Sequence, residues 1–128
     1  MSLSLLQSIV GHLQDSGLLD GIAVKYYRWT DAEADGSGNF LVMRMSGTAG
    51  IRNATVQSPD VRLLLVADPS QVVSMNQKAD AIFAKFADTT APAGVLKLEP
   101  LSTVSGPYYL DNGRGVFEII VRCFVQDH

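Results

Sequence analysis

The chain has 128 residues, 47% of them apolar and 18% charged, with a formal net charge of -3. That length and balance support one packed core covering roughly two-thirds of the unfolded surface, and exclude a disordered or collagen-like polymer. The acidic sign gives no long-range pull toward nucleic acid, and a single cysteine rules out an intramolecular disulfide, which fits a reducing cytoplasm.

Leu5, Leu6, Ile9, Val10 and Leu13 recur at helical spacing between polar residues, which predicts a helix over 3–16 with one apolar stripe. Ser4 and Gln7 have capping-box spacing, and Gly17 can supply a left-handed stop. The start carries no basic segment of a secretory signal, and no run reaches the roughly 18 apolar residues that span a bilayer, so the chain reads as soluble.

Next, Ile22, Val24, Tyr26 and Arg28 alternate with Ala23, Lys25, Tyr27 and Trp29, a strand pattern. The acidic, Gly-rich "TDAEADGSGN" reads as a solvated hairpin connection into the strand "FLVMRMSG", which makes the first two strands antiparallel. Residues 47–60 show no sustained period and are expected to form a long loop. "VRLLLVAD" then fits a central strand covered on both faces. Asp68 can cap the following helix with Pro69 at its first position, and Val72, Met75, Ala79, Ile82, Phe83 and Phe86 extend it over 70–87.

"VLKLEPLSTVSG" resumes extended structure, which Pro100 confines to an edge or a bulge. In the final strand Phe117, Ile119, Val121, Cys123 and Val125 make one apolar face, while Val116, Glu118, Ile120, Arg122 and Phe124 make a half-apolar one. The order α-β-β-β-α-β-β describes a single α+β domain over 1–128, with a mixed, mostly antiparallel sheet of about five strands flanked by two helices.

Chemistry-bearing patterns are sparse. His12 and His128 belong to no metal-ligand spacing, and neither a nucleophile elbow nor a glycine-rich phosphate cradle occurs, so no catalytic residue, metal or cofactor is expected. Pro59–Asp60 before an apolar strand is compatible with a Mg²⁺-dependent nuclease, but Lys97 and Glu99 stand in the reverse of the required order and Glu118 lacks the lysine. Asp60 therefore reads first as a turn residue, and Cys123 as an inert buried thiol. Tyr26, Tyr27 and Trp29 alternate onto opposite faces and cannot form one stacking platform with Lys25 and Arg28. "GPYYLDNGRG" is either a shaped loop presenting Tyr108, Tyr109, Asp111 and Arg114 to a partner or an ordered turn that sets the register of the last strand.

Taken together, "KYYRWTDAEADGSGNFLVMRMSGTAG", then "SPDVRLLLVADP", a helix, and "GPYYLDNGRGVFEIIVRCFV" resemble the small tail terminator proteins of long-tailed bacteriophages and prophages over about 22–125. The resemblance implies a structural minor tail protein, not an enzyme. Such a protein forms a hexameric ring on the last ring of tail-tube protein, stops tube polymerisation and offers the surface to which the head joins through a head-completion or connector protein. DNA would be only transiting cargo, no membrane would be involved, and the protein would reside in the virion tail after assembly in the host cytoplasm. Carried over by element order, residues 47–57 become a mobile loop and "LDNGR" an inter-subunit or axial contact. The interface candidates are Arg28, Ile51, Arg52, Asn53, Tyr108, Asp111, Asn112, Arg114, Glu118 and Arg122. Arg114→Glu and Arg52→Glu are expected to leave folding intact and impair assembly. The alternatives are another head–tail connector or completion protein, a small Mg²⁺-dependent nuclease centred on Asp60 and Glu99, and a small-ligand module on the sheet.

Overall fold

In the computed structural model, which describes residues 2–27, 38–45, 56–57, 59–88, 92, 95, 97–101, 103–110 and 113–126, the last apolar run becomes the axis of the sheet. The earlier elements are the helix α1 (Ser2–Asp15) and the strands β1 (Ile22–Tyr26), β2 (Asn39–Met45), β3 (Val56–Gln57) and β4 (Asp60–Val66). After a 3-10 turn at Pro69–Gln71 come α2 (Val72–Ala87), β5 (Lys97–Pro100), β6 (Ser105–Tyr109) and the 12-residue β7 (Gly115–Gln126).

One edge of β7 pairs antiparallel with β4, from Asp60 opposite Arg122 to Val66 opposite Val116. β3 continues that edge in unchanged register, with Val56 opposite Gln126 and Gln57 opposite Val125. The pair is one extended edge interrupted around Pro59, which lacks an N–H but whose carbonyl accepts from the Cys123 N–H at 2.9 Å. On the other edge lie β5 and then β6, both antiparallel, with a register shift between Ser105 and Tyr108. Gly106 sits in that shift at φ +114, and a Cβ there would stand 2.5 Å from the Val116 carbonyl oxygen, so this position admits only glycine without rearrangement. β2 pairs antiparallel with β4, and β1 lies outside β2.

Both helices cover one face of the sheet. Leu6, Ile9 and Leu13 of α1 and Ala79, Ile82 and Phe86 of α2 are fully buried against Leu63, Leu65, Phe117, Ile119 and Val121. Each of these side chains except the small Ala79 contributes about 1.5–3 kcal/mol of hydrophobic stabilisation. α1 stops where its spacing indicates: Gly17 takes φ +73 and donates its N–H to the Gln14 carbonyl at 2.9 Å. Asp68 and Pro69 do start a helical segment, but it is the 3-10 turn Pro69–Gln71, where Asp68 Oδ1 accepts from the Ser70 N–H at 2.9 Å; α2 itself begins at Val72 behind Gln71, which makes no side-chain cap bond.

Three expectations need correction. β1 and β2 are parallel, with Ile22 opposite Asn39 and Tyr26 opposite Met43. Residues 27–38 are a dozen, long enough for a crossover and far longer than a tight hairpin, so polarity and glycine content were a poor guide to pairing. The extended run around Pro100 is two strands rather than one, which with the short β3 gives seven strand segments among the described residues in a mixed, mostly antiparallel sheet of the expected kind. Finally, the "GPYY" part of the expected loop is the strand β6.

Candidate functional site

The strand-end cluster around Arg114 is built by non-local contacts. Its Nη1 donates to the Gly38 carbonyl at 2.7 Å and to the Ala67 carbonyl at 3.3 Å, and its guanidinium carbon lies 5.5 Å from the Phe40 ring centroid. Asp68 ties the same corner together. Its Oδ2 accepts from the Gly38 N–H at 2.8 Å, its Oδ1 accepts from the Ser70 hydroxyl at 2.7 Å, and its own N–H donates to Asn39 Oδ1 at 2.8 Å. These bonds to Ser70 and Gly38, with a smaller contribution from Arg114, hold the Asp68 carboxyl at about 2, well below the usual aspartate value. Asn39 Nδ2 then donates to Gln71 Oε1 at 2.7 Å. The start of β2, the end of β4 and the 3-10 turn before α2 are thereby fixed to each other.

Arg114 was expected to be presented to a partner, and its placement corrects that: the side chain is fully buried inside the protomer. A cation in a Gly-flanked turn normally points to water, but here the glycines permit close packing. A Cβ on Gly115 would stand 3.0 Å from Val72 Cγ1. The local sequence carries no sign of the Gly38 and Ala67 carbonyls that receive the guanidinium, which lie 76 and 47 positions away.

The sheet face turned away from the helices has a different character. Arg122 forms a two-pronged pair with Asp60, Nε to Oδ1 at 2.9 Å and Nη2 to Oδ2 at 3.3 Å, which raises the guanidinium pKa further. Arg62 Nε lies 3.1 Å from Glu118 Oε2, and Lys97 Nζ lies 3.6 Å from Glu99 Oε2 and 6.0 Å from the Phe124 ring centroid. Thus Glu118 and Arg122, both interface candidates, stand on this face in ion pairs within the protomer. Between them, Ile120 and Phe124 are only half-buried and Leu101 is exposed.

Tyr108, another candidate, is 60% exposed at the end of β6, near the exposed Tyr109 and Leu110. The candidates Arg28, Ile51, Arg52, Asn53, Asp111 and Asn112 lie outside the described residues, as does all of 47–57 except Val56 and Gln57.

The metal-nuclease arrangement finds no counterpart in this geometry. Asp60 and Glu99 both sit opposite Arg122 on neighbouring strands, so a guanidinium stands between the two carboxylates. Among the described residues no three His, Cys, Asp or Glu side chains gather as a metal site. Burial, reinforced by Asp60, pushes the Cys123 thiol up to about 12, so it stays protonated at neutral pH. An open cleft of about 450 Å³ near the start of β1 is lined by Asp20, Asn39, Gln71, Ser74 and Lys78. Its amides bond to each other, and the Ser74 hydroxyl donates to the Gln71 carbonyl at 3.2 Å, so no convergent set is directed at a ligand. Among the described residues no helix is long and apolar enough to cross a membrane.

Comparison with known proteins gives one family. A family model described as phage tail termination protein matches residues 3–127. No curated protein matches the chain.

Proposed function

Because the chain belongs to the phage tail termination protein family, we propose that this structural component of the phage tail closes the tail tube as a ring of identical subunits, six by the family resemblance. The ring sits on the last ring of tube protein, stops further polymerisation and offers its free side to a head-completion or connector protein. DNA passes through the ring without being gripped, so a net charge of -3 is no obstacle.

The observation carrying this reading is a family match that spans nearly the whole chain. Two features of the protomer support it. A half-apolar sheet face stands opposite the helical layer, and interfaces join apolar centres to paired charges in this way. The carboxylates that an enzymatic reading would use are bound up with Arg122 or Lys97.

The direct test is to polymerise purified tube protein with and without this chain and image the products by negative stain. The expected result is shorter tubes carrying one additional disc at a single end. Tubes that grow unchecked and carry no cap contradict the reading. DNA cleavage that requires Mg²⁺ and disappears in Asp60→Ala would favour the enzymatic alternative instead.

A further inference from the structure

His12 stands on α1 one residue before the fully buried Leu13 and is itself half-buried. Its Nε2 is shut off from water, and among the described residues it has no hydrogen-bond partner. The hydroxyl one turn further along the helix is engaged elsewhere, since Ser16 Oγ donates to the His12 carbonyl at 3.3 Å. A buried polar atom left unpaired is destabilising, and in a native fold such an atom calls for an explanation.

The charges that act on His12 are mixed. Lys85, in the last turn of α2, disfavours a proton on the imidazole, while Asp15 of α1 and Asp88 just after α2 favour it. The sequence that follows, 89–95, contains no titratable side chain. Burial, the largest influence, and Lys85 outweigh the two carboxylates, so the imidazole is held below its ordinary value of 6.5 and is neutral at pH 7.

From the shut-off, unbonded Nε2 and the charges at the end of α2 that act on it, we infer that His12 is an acid-sensitive latch: when it takes up a proton, α1 loosens from the helical layer while the sheet stays paired. The inference is independent of the ring reading above. A proton on this ring sets a full charge where water does not reach and within the influence of Lys85, and turning the ring out to solvent relieves both costs. α1 shares the apolar core with Ile82 and Phe86 of α2 but takes no part in the strand ladder, so it can move without breaking a strand pair. The unfolded chain accepts the proton near 6.5 and the folded chain only at lower pH. The stability that neutral His12 supports is therefore fully present above 6.5 and is lost as pH falls below it.

The test follows the ring and the helix separately in the full chain. In an NMR titration the His12 ring should show a midpoint below 6.5, and Lys85→Met should move that midpoint upward. Hydrogen exchange, corrected for its intrinsic pH dependence, should speed up several-fold at the α1 amides between about pH 7.5 and about pH 5.5, with the β4 and β7 amides unchanged. His12→Gln and His12→Leu, neither of which can take up the proton, should each abolish that response. A midpoint at or above 6.5, α1 amides without a pH response, or a response that persists in both His12 variants overturns the latch. Acid opening that spreads equally over β4 and β7 overturns it too, because the proton would then unfold the molecule as a whole.

Discussion

On β7 the odd-numbered side chains Phe117, Ile119, Val121 and Cys123 are fully buried, whereas Val116, Glu118, Ile120, Arg122 and Phe124, one residue out of step, are half-buried. The first set meets two helices and contains no charge. The second meets ion pairs and isolated apolar side chains. Both alternate along the same backbone, so the difference is one of pleat and not of strand position. It separates the side chains that the helices cover completely from those that the protomer leaves half covered. Packing dominates on the helical side, where every atom is out of water. On the other side the partly exposed ion pairs contribute little to stability and mainly fix the pattern of charge.

The largest expected effect falls on the helical side. Phe117→Ala removes a fully buried ring at the centre of the core and should cost about 3–5 kcal/mol in denaturant unfolding. If the loss were under about 1 kcal/mol, the helices would not be packed there as described. Arg114→Ala comes next. It leaves the buried Ala67 carbonyl without its guanidinium donor, removes the bond to the Gly38 carbonyl at the exposed start of β2, and should cost roughly 1–3 kcal/mol. This reverses the expectation that a charge change at this position spares folding. A stable Arg114 variant that fails only in assembly would return the residue to the contact surface.

A smaller effect is the acid sensitivity of the same corner. The Asp68 carboxyl is depressed to about 2, so its contribution is fully present above the usual value of 3.8 and is lost as pH falls from there toward about 2. Acid titration of unfolding should therefore be shallower in Asp68→Asn than in wild type over that window, and identical curves would contradict the hydrogen-bond network. Smallest of all, Glu118→Gln breaks a partly exposed pair with Arg62 and should change stability by no more than about 0.5 kcal/mol. A loss of several kcal/mol in urea unfolding would mean that the two faces of β7 do not divide as described.

What was legible in the sequence follows the range of the forces. The apolar stripe of α1, the Asp68 cap of the helical turn before α2 and the odd face of β7 are local periodicities or caps, and each lies where the spacing places it. The α+β class follows from their order. Parallel pairing of β1 with β2 was not legible, because a connection of a dozen residues can turn back or cross over and only the sheet as a whole decides. The same holds for the shared register of β3 and β4, hidden by Pro59, and for the division of β5 from β6. Of the site residues, Tyr108 is exposed, and Glu118 and Arg122 lie on the half-buried face of β7 in ion pairs within the protomer, which leaves their part in an interface to experiment. Arg114 was misread because its partners are remote in sequence.

Electron cryo-microscopy of tail tubes assembled in the presence of this protein tests the termination role most directly. The expected map shows a closed ring of this chain at one tube end. A bare tube end would contradict it.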